Sequence, residues 1–259
     1  MKISAVIVTY NNEKKIEPCL QSLTGVVDEI IVVDSQSTDY TRKIASYFTD
    51  KVFKHPSTDY AELKNFGHRA AAYNWILSME PDERLSTELR LELLRLKNQP
   101  VEADGFSIPR ISFYLGRWIR YSGWYPNRRV RLYNKDKGCW TGERFRVFLN
   151  FSGKAKKLRH PIEHLAFSSI SEHILYLNRL TGHRAQELYA RRKKARFYHF
   201  YLLPFLKFFS TYFLKFGFLD GYAGLVISAM SAYSVFLRYA KLKEIWRKGE
   251  KIEPVPCSQ

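Results

Sequence analysis

The chain has 259 residues, 46% hydrophobic and 15% aromatic, with 42 Lys/Arg against 25 Asp/Glu and a formal net charge of +17. Its length and apolar content suit one large domain, or one domain with an extension, around a proper core. The three cysteines, Cys19, Cys139 and Cys257, lie far apart. That excludes a metal-ligand spacing or a disulfide framework and suits a reducing cytoplasm.

The first hundred residues alternate strand-like and helix-like segments. Ile3 to Thr9 is apolar and β-branched, as a buried parallel strand should be. It follows Met1-Lys2 directly, without the regions of a signal peptide, so no leader is expected. Ile16, Leu20 and Leu23 recur at helical spacing, and Glu29 to Val33 reads as a strand ending at Asp34. Thr38 and Asp39 can start a helix, Lys51 to Phe53 is a short strand, and Glu62 to Ala72 reads as a helix. Trp75 to Met79 is the fourth strand, and Ser86 can cap a helix with Leu89, Leu93 and Leu96 on one face. This order predicts an α/β fold with a mostly parallel sheet flanked by helices. After Pro100, strands are expected at Gly105–Arg110, Val130–Asn134 and Phe145–Phe151, with longer loops; from about Ser171 the chain reads as helical.

That C-terminal part is basic. From Arg184 to Lys251 there are 14 Lys/Arg and 4 Asp/Glu, a net of +10. Such asymmetry points to an anionic partner: nucleic acid, a membrane surface or a phosphorylated substrate. No nucleic-acid module is recognisable, so nucleic acid is not expected. Phe197 to Phe218 holds eleven Phe/Tyr, interrupted by Lys207 and Lys215. Gly221 to Leu237 is uncharged but only 17 residues long, with three serines and two glycines. A spanning helix wants about 20 apolar residues. Interfacial helices are therefore expected, aromatic at headgroup level with Lys/Arg toward anionic lipid. Packing onto the α/β domain, or into a homodimer, is the competing reading.

Chemistry concentrates at strand ends. The fourth strand ends in Glu80-Pro81-Asp82-Glu83, and acids leaving a strand at its C-terminal end can hold a divalent metal and, through it, a diphosphate. Asp34 can accept hydrogen bonds from a nucleoside base or ribose. The turn after the first strand, Thr9-Tyr10-Asn11-Asn12-Glu13, has no glycine, which argues against a dinucleotide fold, and no Walker loop is present. Arg117, Arg120, Arg128, Arg129 and Arg131 form a basic cluster beside the aromatic loop around Trp124. Their planar forks suit phosphate.

Ser4 to Asn11, Val32 to Asp39 and the acid pair Glu80/Asp82 together resemble the family 2 glycosyltransferases of GT-A fold. Tyr114-Leu115-Gly116-Arg117-Trp118, Gly123-Trp124-Tyr125-Pro126, Arg131-Leu132-Tyr133 and Phe218-Leu219-Asp220-Gly221 resemble the bacterial lipopolysaccharide core-biosynthesis branch, which includes β-1,4-glucosyltransferases acting on an inner-core heptose. The resemblance implies a GT-A domain over 1–170, with a nucleotide-sugar half (1–100) and an acceptor and metal half (101–170), and a helical membrane-proximal extension over 171–259. It implies a UDP-sugar donor, UDP-glucose foremost, a lipid-anchored saccharide acceptor, Mg²⁺ or Mn²⁺, and a peripheral location on the cytoplasmic face of the bacterial inner membrane.

By the same resemblance Thr9, Tyr10, Glu13, Asp34, Lys64 and Glu80 would serve the donor, and Asp82, with Glu80 and His164, the metal. Arg117, Arg120, Trp124, Arg128 and Arg131 would meet the acceptor or its phosphates, and Glu83 or Glu143 would act as base. Three departures stand out. Glu80 replaces the usual Asp, Asn12 stands where the family often has Glu, and Arg146-Val147 replaces a His-Glu pair. The alternatives are a transferase with another UDP-sugar or lipid-linked acceptor, and a non-catalytic family member.

Overall fold

The computed structural model describes residues 1–142 and 147–248. Strands β1 (Ile3–Thr9), β2 (Glu29–Asp34), β3 (Val52–Lys54) and β4 (Trp75–Met79) lie parallel in the order β3-β2-β1-β4. All seven β1 residues are buried, which is why this strand is apolar throughout rather than alternating. Helices α1 (Ile16–Leu23), α2 (Thr41–Ser46) and α3 (Tyr60–Ala70) make the connections. The expected helix at Glu62 starts earlier because Asp59 caps it, accepting from Ala61 N at 2.9 Å. Gly67 lets α3 sit close on the sheet: a Cβ there would stand 2.5 Å from Val6 Cγ1.

The parallel order stops at β4. There follow β5 (Glu83–Leu85), α4 (Thr87–Lys97), β6 (Gly105–Tyr114), β7 (Arg117–Ile119), β8 (Asn127–Asn134), β9 (Gly138–Thr141), β10 (Phe148–Phe151), β11 (Ala155–Lys157) and β12 (Ile162–Phe167). Ser86 caps α4, accepting from Leu89 N at 3.2 Å. The sheet continues β4-β8-β6-β12-β5, with β7 and β11 paired along β6. The β4–β8, β8–β6, β6–β7 and β5–β12 pairs are antiparallel. The sheet is therefore mixed, because no crossover helix separates the strands from β6 to β12. Helices α5 (Ile170–Ala190), α6 (Phe197–Phe200), α7 (Leu202–Phe209) and α8 (Gly221–Lys248) complete the chain.

The residues form two compact units, Met1–Ile111 with Pro126–Leu165, and Ser112–Tyr125 with Ala166–Gln259. The first holds the apolar core on both faces of β1, β2 and β4. Ser112–Tyr125, which the strand reading leaves in the first domain, belongs to the second. Asp220 holds it there: the buried carboxylate accepts from Arg120 N at 3.1 Å, Tyr121 N at 3.0 Å and Ser122 Oγ at 2.9 Å. Tyr114, Ile119, Ala223, Val226 and Ile227 form the adjoining core, with Trp124 against it. Within α8, Gly224 is required by close approach, since a Cβ there would stand 1.8 Å from the Gly217 carbonyl oxygen. The stretch Gly217–Lys248 is long and apolar enough, by length and composition alone, to cross a bilayer. It packs against α5 and α7.

His173 sits in this second core, its ring stacked on Phe167 at 4.4 Å and its Nδ1 2.9 Å from the Tyr114 hydroxyl. Burial pushes its pKa from 6.5 down to about 4. Between those two values the unfolded chain binds a proton that the folded chain does not. Stability is thus fully present above about pH 6.5 and falls toward pH 4, by about 1–3 kcal/mol for this group. Urea midpoints measured from pH 7 to pH 4.5 should decline, and less steeply in His173→Gln. Equal slopes in both proteins would rule His173 out as the source.

Candidate active site

Because β1, β2 and β4 are parallel and adjacent, Thr9, Asp34 and Glu80 emerge at one end of the sheet. Thr9 and Asp34 are register partners. Asp34 is fully buried; its carboxylate accepts from Ser37 N at 2.9 Å and from Ser37 Oγ, with Arg42 Nε at 3.7 Å. The Thr9 hydroxyl is buried without a hydrogen-bond partner among the described residues. A buried hydroxyl left open in this way is costly unless a bound group satisfies it.

The loops after β1 and β2 are clamped together. Asn11 N donates to Ser37 Oγ at 2.9 Å, Asn11 Oδ1 accepts from Thr38 N at 2.9 Å, and Asn12 N donates to Thr41 Oγ1 at 2.7 Å. Glu13 closes the clamp, accepting from Tyr40 N at 3.1 Å. Asn11 (φ 49°) and Gln36 (φ 62°) take the left-handed conformation within it, the kind of local strain that collects at binding loops. Glu13 thus shapes the loop, while Tyr10 beside it is exposed.

At the end of β4 the Glu80 carboxylate, 24% exposed, is ringed by partners. Lys64 Nζ lies 3.1 Å away, Arg131 Nη1 3.4 Å away, and the Tyr60 hydroxyl donates to it. Burial opposes its ionisation. The Lys64 and Arg131 charges and the Tyr60 bond outweigh that and hold its pKa at about 2. Lys64 is itself buried, over the rings of Trp140 at 4.6 Å and Tyr60 at 5.0 Å, and donates to Ser78 Oγ at 3.1 Å. Burial pulls its pKa below the usual lysine value. Glu83 is also buried. It accepts from Glu80 N at 3.0 Å and Arg131 Nη2 at 2.7 Å, and Arg110 Nη1 is 3.3 Å away.

Asp82 is directed elsewhere. Its backbone carbonyl accepts from Leu165 N at 3.0 Å, and its carboxylate stands 3.4 Å from His164 Nε2. The register that places His164 opposite Glu83, and Glu163 opposite Arg84, comes from the β5–β12 pair.

This geometry corrects four expectations. Glu80 is taken up by Lys64, Arg131 and Tyr60, so the expected Glu80/Asp82/His164 set is not assembled. No group of three or more His, Cys, Asp or Glu suited to a metal occurs among the described residues. Asp82 and His164 remain as a pair of hard and borderline donors, a chemistry compatible with a divalent ion. Arg131 neutralises the acids of the turn instead of facing an acceptor. Glu83 is enclosed, which removes it from reach of an attacking hydroxyl. Trp124 belongs to the second unit's core, its ring 5.6 Å from Tyr114 and 6.0 Å from His173.

Arg117 and Arg120, both exposed, also lie in that second unit. Exposed Arg128 donates to the Leu158 carbonyl at 2.8 Å. Glu143 and Arg146 lie outside the described residues. Tyr60, Ser78 and Arg110, which complete the buried cluster, carry no sequence signal of their own; only the alternation of Ser78 and Glu80 along one strand face links any of them to the acid turn.

A family model for "Glycosyl transferase family 2" matches residues 4–160. The chain belongs to glycosyltransferase family 2. It is a glycosyltransferase, and the sheet with its flanking helices is the GT-A α/β fold. An uncharacterised glycosyltransferase of Rickettsia bellii is 30% identical, over 94% of this chain and 87% of its own length. The lipopolysaccharide core biosynthesis glycosyltransferase LpsC of Rhizobium meliloti is 25% identical, over 93% of this chain and 94% of its own. The crystal structure of S. aureus TarS 1-349 aligns over 96% of this chain and 92% of that one, at 16% identity and a TM-score of 0.48.

Proposed function

We propose that this family 2 enzyme is an inverting hexosyltransferase that moves glucose from UDP-glucose onto a heptose of the lipopolysaccharide inner core. It works as a peripheral protein on the cytoplasmic face of the bacterial inner membrane. The observation that carries the lipopolysaccharide-core part of this reading is the likeness to LpsC over 93% of this chain; the glucose donor and heptose acceptor rest on the sequence blocks that resemble the core-biosynthesis branch. Exposed Phe197, Tyr201, Phe205 and Tyr222 in that region support the membrane part.

In this reading the open Thr9 hydroxyl meets the nucleoside and Tyr10 lies along it, while Asp34, expected at the donor, is buried against Ser37 and holds the loop after β2. Asp82 and His164 would hold Mg²⁺ or Mn²⁺, which when bound neutralises the leaving diphosphate. The acceptor hydroxyl attacks the anomeric carbon in line, the bond to the diphosphate oxygen breaks, and its electron pair leaves with UDP. A carboxylate takes the hydroxyl proton. With Glu83 enclosed, that role falls to Glu143. Lys64, Arg131 and Arg110 touch neither substrate; they fix the turn that presents Asp82.

The decisive experiment is UDP release from a set of UDP-sugars, with Mn²⁺ and a purified core acceptor truncated at its heptoses. UDP-glucose should turn over fastest. Turnover with another donor alone would discard glucose, and no turnover with any would favour a non-catalytic member. Glu143→Gln should lower kcat about 10²–10⁴-fold with an unchanged melting temperature. Glu83→Gln should lower the melting temperature. An unchanged kcat in Glu143→Gln would remove Glu143 as base.

A further inference from the structure

A helix on a protein surface normally turns its polar residues to water and its apolar residues inward. The stretch from Phe197 to Leu214, made of α6, α7 and the π-helical turn Ser210–Leu214, is built the other way round. Its nine exposed residues are all Phe, Tyr or Leu. Its polar residues His199, Lys207, Ser210 and Thr211 are half-buried or buried. The inward contacts are on α8: the His199 ring lies 4.0 Å from that of Tyr239, and the Phe200 ring 6.2 Å from that of Phe236. On α7 the outward residues Leu202, Phe205, Leu206 and Phe209 follow helical spacing and so share one face, turned away from Lys207.

An exposed apolar face of this extent marks a contact surface. The neighbouring charge selects the partner. Immediately before it stands Arg191-Arg192-Lys193-Lys194-Ala195-Arg196, with five exposed cations and no acid. The run is tied to α8: Trp246 Nε1 donates to the Lys193 carbonyl at 2.8 Å, and Lys194 Nζ lies over the Trp246 ring at 5.3 Å. A second copy on the same face would bring its own five cations to the rim of the contact, where like charges repel. An anionic bilayer complements both parts, with acyl chains for the apolar face and headgroup phosphates for the run. Size sets the orientation. With eight residues α7 rises about 12 Å, well short of the hydrocarbon thickness of about 30 Å, so it fits in the membrane plane and not across it.

We propose that α6, α7 and the π-turn form an in-plane insertion element for an anionic lipid bilayer. The face of Leu202, Phe205, Leu206 and Phe209 enters the boundary between headgroups and acyl chains, and the cations of Arg191–Arg196 meet lipid phosphates. This rests on the peripheral-membrane reading above, and adds to it the face that inserts and a requirement for anionic headgroups.

The test uses the full chain, sedimented with vesicles of phosphatidylcholine alone or mixed with phosphatidylserine. Wild-type protein should favour the mixed vesicles by roughly a hundredfold or more, and Lys193→Gln with Lys194→Gln should weaken that binding roughly 30-fold. Leu202→Ser with Phe205→Ser should weaken binding to mixed vesicles by roughly 30-fold as well, because buried apolar area is lost, and should melt at the wild-type temperature because both side chains are exposed. Phe205→Cys, carrying a polarity-sensitive dye in a Cys139→Ser, Cys257→Ser background, should shift to the blue on binding, whereas Lys193→Cys labelled in the same way should not. Equal binding of wild type to both vesicles overturns the anionic requirement. Unchanged binding in the Leu202/Phe205 variant, or a dye at position 205 that stays in water on bound protein, overturns the insertion face and leaves the membrane reading standing. Absence of binding to either vesicle overturns that reading too. A dimer in solution that Leu202→Ser with Phe205→Ser dissociates would assign the face to a second copy and overturn the lipid assignment.

Discussion

Arg131→Met is expected to cost about 3–5 kcal/mol of stability, the largest effect of any single substitution considered for this protein. Arg131 is 6% exposed and bridges two carboxylates, 2.7 Å from Glu83 and 3.4 Å from Glu80. A methionine fills much of the same volume, so the loss is electrostatic. Among the described residues Glu83 then keeps Arg110 at 3.3 Å as its cation, and Glu80 keeps Lys64 at 3.1 Å. A buried carboxylate stripped of its partner carries most of its desolvation cost uncompensated. Domains of this size hold only about 5–15 kcal/mol in total. The variant should therefore show a much lower urea midpoint and poor soluble yield. Arg131→Lys should fall between the two, since it keeps the charge but cannot bridge both acids with one planar fork. Adding Glu83→Gln to Arg131→Met should restore part of the loss, because the most enclosed charge is gone. A wild-type midpoint in Arg131→Met would falsify the view that Arg131 offsets the burial of these carboxylates.

Asp82→Asn is expected to lower UDP release about 10²–10³-fold while leaving the fold intact. The side chain is 27% exposed, and the backbone carbonyl that accepts from Leu165 N survives the change. What is lost is the negative charge beside His164. The Mn²⁺ concentration for half-maximal rate should rise as well, as should that of His164→Ala, by about 10–100-fold. Glu80→Gln should behave differently. It disturbs Lys64, Arg131 and Tyr60, so its effect should appear in the melting temperature rather than in the Mn²⁺ requirement. Full activity in Asp82→Asn, or a Mn²⁺ shift larger in Glu80→Gln than in Asp82→Asn, would reassign the metal ligand.

The contrast between these acids explains what was legible from residues alone. Strands β1, β2 and β4 are near-continuous apolar runs ending at Thr9, Asp34 and Glu80, and local periodicity suffices to find them. Their parallel pairing brings those ends together, so this end of the sheet follows from the sequence pattern. The partners of Glu80 do not. Lys64 and Tyr60 sit on α3, and Arg131 on β8, 51 residues further along. Nothing local marks them as counter-ions. β5, β7, β9, β11 and β12 escaped the pattern because four of them have only three or four residues, too few for any periodicity. Yet the β5–β12 pair carries His164 to Asp82.

The sequence by itself determined the α/β class, the succession of four strands along the first hundred residues, the family, and the basic aromatic character of the C-terminal region. These are properties of local runs and motif spacing, written in consecutive residues. Only the tertiary structure decided which acid of Glu80-Pro81-Asp82-Glu83 stays available. Alternate residues of a tight turn point apart, and the distant cations that meet Glu80 and Glu83 arrive through long-range strand and helix packing. Those partners take up Glu80 and Glu83, and Asp82 is the acid the fold leaves beside His164.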